Sequence, residues 1–241
     1  MEKGWGYLFL FVLGAGLFAS CSDSEDYYSL DDVWISMGMV QQPDSTGESF
    51  FIITDNRDTL IPLASNVPYF ETNNQQRVFV NYTILGDANT TGTKFWVKIN
   101  NLQEVLLKNL LPLTPENSDS LGNDPIHMVD AWLSAGCFLN LDLAFPGGET
   151  VHWVNMVYTA FPLSGAESPV ELELRHNERN DTLNFPLRAI VTFDLSALQQ
   201  IGNDTVEFVV RYQNLDGVMK NFSGTFTDNG SPASAGSHLN M

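Results

Sequence analysis

The sequence predicts a mostly β protein: a small barrel-like unit, then an antiparallel β-sandwich, with few short helices. Three observations predict it. Apolar residues alternate with polar ones over many short stretches, the mark of half-buried strands. These stretches recur at spacings near ten residues, with turn-forming residues between them, which suits a sandwich or barrel rather than a parallel sheet. Helix signals are few.

The first element is residues 1–20. Lys3 gives a short basic start, and Trp5 to Phe18 is almost wholly apolar. About 14 residues of helix would span roughly 21 Å, short of a bilayer core of about 30 Å. The segment therefore reads as a signal peptide. Ala19 and Ser20 sit just before Cys21, and this ending resembles the lipobox of bacterial lipoproteins, in which the Cys thiol is acylated. The other reading is a secreted protein whose Cys21 pairs with Cys137. If Cys21 carries lipid, Cys137 has no partner in the chain. Cys137 lies in an apolar run and reads as a buried small hydrophobe, with no nearby cation to make it a nucleophile.

Residues 21–30 form an acidic tether. From Ser22 to Asn56 there is no Lys or Arg, against eight acids. The first part of this stretch is too polar to fold alone. Acids directly after a lipidated Cys resemble the signal that sends lipoproteins of the phylum Bacteroidota to the cell surface. The reading is an outer-membrane, lipid-anchored protein at the cell surface, with the periplasmic face as the alternative.

Strands follow over residues 31–111. Candidates are Val33 to Val40, Ser49 to Thr54 and Thr59 to Leu63. Val78, Val80, Tyr82 and Ile84 share one face of the next, and Phe95, Val97 and Ile99 one face of the one after. Trp96 and Lys98 take the opposite, more polar face. N-L-Q-E at Asn101 to Glu104 reads as an N-cap with its capping-box acid, starting a helix that Pro112 stops. Residues 112–125 are polar and aperiodic and read as a linker, with Asp124–Pro125 as a second candidate helix start, for Ile126 to Leu133.

Residues 126–228 carry the sandwich. Val151 to Phe161 is apolar on both faces and reads as a central strand. Val170 to Arg175, Leu183 to Leu187, Ile190 to Leu195, Val206 to Tyr212 and Val218 to Phe226 complete it. Ser196 to Gln200 suits one helical turn. The turns are D-N-R-D at Asp55 to Asp58, H-N-E-R-N-D at His176 to Asp181 and L-D-G at Leu215 to Gly217. Residues 229–241 are a tail.

Several stretches resemble the NigD-like lipoprotein family. They are R-V-F-V-N-Y-T-I-L-G-D (Arg77 to Asp87), L-G-N-D-P-I-H-M-V-D-A-W-L-S-A-G (Leu121 to Gly136) and L-E-L-R-H-N (Leu172 to Asn177), with D-D-V-W-I-S near the start of the mature domain. The resemblance implies an OB-type barrel followed by a β-sandwich, and a bacteriocin-linked locus. It implies no catalytic residues.

The chemistry of the chain is defined mostly by exclusion. No zincin, nucleophile-elbow, P-loop or C-x-x-C pattern is present. His127, His152, His176 and His238 lack ligand spacing. No enzyme activity, cofactor or metal is expected. With 29 acids against 11 bases and a net charge of -18, nucleic acid is not an expected partner, because phosphate binding draws on Lys and Arg. The expected partners are the membrane, through the N-terminal lipid, and a protein, peptide or glycan ligand. Trp96 is the candidate ligand platform. D-A-N-T-T-G at Asp87 matches half of a calcium loop, but Lys98 stands where the bidentate Glu should be, so it reads as a hairpin. Asp followed by Ser or Thr and an aliphatic or Thr occurs five times, where chance gives about one. It resembles an O-glycosylation sequon, with Ser45, Thr59, Ser120, Thr182 and Thr205 as acceptors. The alternative is structural, because Asp-Thr suits a turn that hands over to a strand.

Overall fold

The structure is a computed structural model and describes residues 28–43, 49–159, 169–201 and 205–227. Cys21, Ser45, the acidic tether up to Tyr27 and the tail lie outside the described residues.

Five strands close a barrel: β1 (Trp34–Gln41), β2 (Phe51–Thr54), β3 (Thr59–Ser65), β4 (Arg77–Asp87) and β5 (Lys94–Glu104), in the order β1-β2-β3-β5-β4. The parallel pairing of β3 with β5 completes the closure. Alternation puts Val78, Val80, Tyr82 and Ile84 of β4 inside, against Val97 and Ile99 of β5 and Val40, Ile52 and Leu60 of the other strands. The D-N-R-D turn forms as expected: Thr54 N–H donates to the Asp58 carbonyl at 2.8 Å, and Arg57 takes a positive φ of 71°.

No helix starts at Asn101. Strand β5 continues through Glu104. The N-L-Q-E residues pair with β4 in place of capping a helix, and the strand bulges at Asn100, where Asn101 pairs with Asn81 but Ile99 pairs with Tyr82. The extra residue puts Ile99 and Leu102, three apart, on the same inner side.

After Val105 the chain leaves the barrel as two short strands, β6 (Leu106–Asn109) and β7 (Leu111–Pro112). Each runs parallel to a strand of a different sandwich sheet: β6 beside the strand Phe185–Asp194 and β7 beside the strand Trp153–Tyr158. A four-residue helix α1 (Ser118–Leu121) follows, and then β8 (His127–Ser134), a strand where Ile126 to Leu133 offered the alternative of a helix. The remaining strands are β9 (Phe138–Gly147), β10 (Trp153–Tyr158), β11 (Val170–Asn177), β12 (Phe185–Asp194), β13 (Thr205–Gln213) and β14 (Met219–Thr227). The sheets run β14-β13-β11-β10-β7 and β6-β12-β9-β8. Most pairings are antiparallel; β11 with β13, like the two strands that arrive from the barrel, runs parallel. Leu139, Leu141, Leu143, Leu172, Phe193, Phe208 and Phe226 meet between the sheets. Ser196–Ile201 forms a 3-10 turn, as the sequence suggests for that stretch. No described helix is long and apolar enough to cross a membrane.

Candidate functional site

The outer barrel surface carries the candidate ligand platform. Trp96 stands on β5, where alternation sends Val97 inward and its neighbours out. It is 37 % exposed, Leu85 of β4 is 38 % exposed and Leu63 of β3 is 63 % exposed. Ile61 of β3 lies in register with Trp96 on one side, and Gly86 of β4 on the other. A side chain at Gly86 would meet open space. Leu63 and Leu85 thus stand exposed on the two strands that flank β5. The other tryptophans differ. Trp153 is partly exposed, but the Arg179 guanidinium lies 4.3 Å over its ring. Trp34, at 50 %, begins β1, and Trp132 is half-buried on β8.

Between barrel and sandwich lies a cleft of about 350 Å³ whose lining includes Met39, Ile53, Arg57, Gln75, Arg77 and Phe138. Its floor is held by Arg77. This side chain is fully buried and pairs with both carboxylate oxygens of Asp55, at 2.5 and 2.6 Å. Its Nη2 also donates to Ser134 Oγ and Asn140 Oδ1, each at 3.2 Å. Asn140 in turn donates to Ser134 Oγ and accepts from Thr192 Oγ1, both at 2.7 Å. The Phe138 ring packs 4.8 Å from the guanidinium. Asp55 and Arg77 come from the barrel and the others from the sandwich, so one buried polar network joins the two units.

A third cluster escaped the sequence reading. His152, just ahead of β10, and His176 of β11 are brought together by the antiparallel pairing of those strands. His152 Nδ1 lies 2.9 Å from His176 Nε2, and His152 Nε2 lies 3.3 Å from Asp181 Oδ2. His176 Nδ1 faces the Pro125 carbonyl at 3.1 Å. Asp181 accepts backbone N–H bonds from Gly148, Thr150 and Leu183. These donors, Leu183 first, hold its carboxyl below the usual carboxylate range. Burial, and then the charge of His152, push the His176 imidazole below the ordinary histidine range. Phe145 packs on both imidazoles, with ring centroids at 4.9 and 5.4 Å. A side chain at Gly147 would strike the His152 ring. The cluster is closed to substrate: His176 is 1 % exposed, and the His152 and Asp181 side chains are 3 % and 4 % exposed. The His152–His176 separation of 24 residues is too long for any spacing rule. The usable signal was an Asp-Thr motif in the same tight turn as a histidine.

The remaining sites are simpler. Cys137 is half-buried, and burial and Asp194 push its thiol up to about 11, which keeps it protonated and poorly nucleophilic at neutral pH. The D-A-N-T-T-G loop is a hairpin held by Asn89, whose Nδ2 donates to Thr91 and Thr93 while its Oδ1 accepts from the Thr93 and Lys94 N–H groups. Ser120, Thr182 and Thr205 are exposed, and Thr59 is half-buried. Ser120 donates to the Asn117 carbonyl. No group of three metal-ligating side chains forms among the described residues.

Comparisons with known proteins agree with this architecture. The NigD-like N-terminal OB domain matches residues 37–105, and the NigD-like C-terminal beta sandwich domain matches residues 109–226. A solved protein from Parabacteroides distasonis, named as toxin-related, is 26 % identical with a TM-score of 0.70, over 83 % of this chain and 96 % of its own. A NigD-like immunity protein from Bacteroides caccae is 21 % identical with a TM-score of 0.63, over 84 % and 100 %. A protein from Bacteroides fragilis named as a lipoprotein is 11 % identical with a TM-score of 0.59, over 84 % and 100 %. No protein with a curated description matches. A closed barrel and a two-sheet sandwich, each matched in order by its own domain, make this chain a member of the NigD-like family.

Proposed function

We propose that the chain is a lipid-anchored protein of the cell envelope, displayed at the cell surface, whose role is binding rather than catalysis. The observation that carries the binding role is the partly exposed Trp96, with exposed Leu63 and Leu85 on the strands beside it. Large aromatic surface costs free energy when left in water, and an outward indole is a stacking platform for a sugar ring or an apolar side chain. The anchor rests on the Leu-Phe-Ala-Ser-Cys ending at Cys21 and the acidic run after it. A solved relative that carries the name of a lipoprotein agrees with it.

Mass spectrometry of the protein from its native cells tests the anchor. The expected mass is the polypeptide from Cys21 plus fatty-acyl groups, with hexose-sized increments if Thr182 and its counterparts carry glycans. A bare polypeptide mass would sink both.

A second reading has its own support. The net charge of -18 sets up a field that draws cationic peptides, and two solved relatives are named as toxin-related and as an immunity protein. Salt separates the readings. Peptide capture by charge weakens steeply as salt rises, while stacking on Trp96 does not. A glycan array and a cationic-peptide pull-down at two salt concentrations decide between them. For the first reading we expect salt-resistant binding that falls about tenfold or more in Trp96→Ala, the loss of one stacked ring at roughly 1–3 kcal/mol. Binding indifferent to Trp96→Ala would remove Trp96 and its neighbours as the site.

A further inference from the structure

The His152–His176–Asp181 cluster has a proton count that its geometry dictates. It is a line of three hydrogen bonds that begins and ends on an acceptor. At one end is the Pro125 carbonyl oxygen, and at the other Asp181 Oδ2. Between them stand four ring nitrogens, two from each histidine. Each link needs one proton, so the line needs three. Two neutral imidazoles supply two. With only two, one link sets a bare nitrogen against an acceptor.

Working inward locates the third proton. The Pro125 oxygen only accepts, so His176 Nδ1 carries a proton. Burial disfavours a second proton on His176, so its Nε2 accepts from His152 Nδ1. His152 Nε2 must then donate to Asp181, which three backbone donors keep ionised. The two rings together carry one positive charge, matched by one carboxylate. The charged groups that act on the pair are Asp181, from the loop after β11, and Asp124, from the segment before β8. β9 contributes the Phe145 ring.

We propose that this line is a one-proton clasp, closed only while the two imidazoles share a single excess proton. Closed, it ties the turn at Gly148–Thr150, the loop at Asp181–Leu183 and the segment at Pro125 to β10 and β11. Loss of the proton at high pH leaves His152 Nε2 facing a carboxylate at the longest link, 3.3 Å. Gain of a second proton at low pH sets His152 Nδ1–H against His176 Nε2–H. The first fault releases Asp181 from its ring partner, and the second drives the two rings apart, shifting the His152 ring that Asp181 holds. On the acid side the linkage signs agree. The folded-state values of His176 and Asp181 lie below their unfolded ones. Stability therefore starts to fall as pH drops below the ordinary histidine range, near 6.5. It falls further as pH drops through the ordinary carboxylate range, near 4.

The test uses the intact, nitrogen-15-labelled chain. Imidazole spectra near neutral pH should show three ring N–H protons for this pair, with His152 protonated on both nitrogens and His176 on Nδ1 alone. Protection of the Gly148 and Leu183 amides against exchange, followed between about pH 4 and pH 9, should pass through a maximum and fall about tenfold on each side, as expected for losing one charge-assisted bond. Protection of Val80 in the barrel should show no such maximum. In Asp181→Asn an amide oxygen at the Oδ2 position still accepts from Gly148 and Thr150, but no charge remains to hold the third proton, so that variant should keep two ring protons and its fall at high pH should vanish. In the unaltered chain, two ring protons in place of three, or protection of Gly148 with no maximum, would overturn the clasp, and so would a high-pH fall that persists in Asp181→Asn.

Discussion

Arg77→Met is expected to lower unfolding free energy by about 3–5 kcal/mol, the cost of breaking a buried ion pair from one side. It is also expected to turn one unfolding transition into two. The substitution keeps the side-chain length and removes every polar bond. Asp55, 14 % exposed, keeps its charge without a partner, and Asn140 and Ser134 lose a donor inside the sandwich face. Because the network crosses between the units, its loss should also loosen the barrel from the sandwich. Urea unfolding followed by tryptophan fluorescence reads both effects, since Trp96 reports on the barrel and Trp153 on the sandwich. Asp55→Asn added to Arg77→Met should recover part of the loss, because no charge is then stranded. A single transition with less than about 1 kcal/mol lost would mean that the pair behaves like a surface bridge and that other contacts hold the units together.

Phe208→Ala is expected to cost about 3–5 kcal/mol, the range for deleting a buried aromatic ring. Phe208 is 1 % exposed and meets Phe222 and Phe226 at ring-centroid distances of 6.2 and 6.1 Å. Its ring lies across Gly224 of the neighbouring strand, so closely that a side chain there would sit 2.5 Å from Cζ. The glycine makes room for the ring and has nothing of its own to fill the hole, so the cavity cannot collapse cheaply. Thermal unfolding of the variant should show a large fall in Tm. The reciprocal change, Gly224→Ala, overpacks the same spot and should cost about 1–3 kcal/mol. If Phe208→Ala cost under about 1 kcal/mol, the ring would not be packed as described.

Most of the strand plan was legible because each strand has one wet and one dry face. Val78, Val80, Tyr82 and Ile84 announce β4, and Val206, Phe208, Val210 and Tyr212 announce β13. The misreadings have physical causes. N-L-Q-E at Asn101 to Glu104 has the residue types of a capping box, but its backbone pairs with β4. Strand β9 stayed hidden in an apolar run because Asn140 and Asp142, polar and alternating with leucines, are buried. Their burial depends on partners far away in the chain: Arg77 from the barrel for Asn140, and Arg188 for Asp142. The outward position of Trp96 was legible from strand alternation, whereas exposed Leu63 and Leu85 were not, because both stand at register shifts. The histidine line was not, because only the pairing of β10 with β11 brings it together and only the Asp181 turn completes it.

The short strands β6 and β7 carry a consequence for modularity. Within seven residues the chain hands an edge to one sheet and then, past Leu110, an edge to the other. A protease nick or gene fusion placed there would not release two self-sufficient pieces. It would strip a border from both sheets at once and bare their backbone groups. The connection between the two halves is therefore itself part of the sandwich.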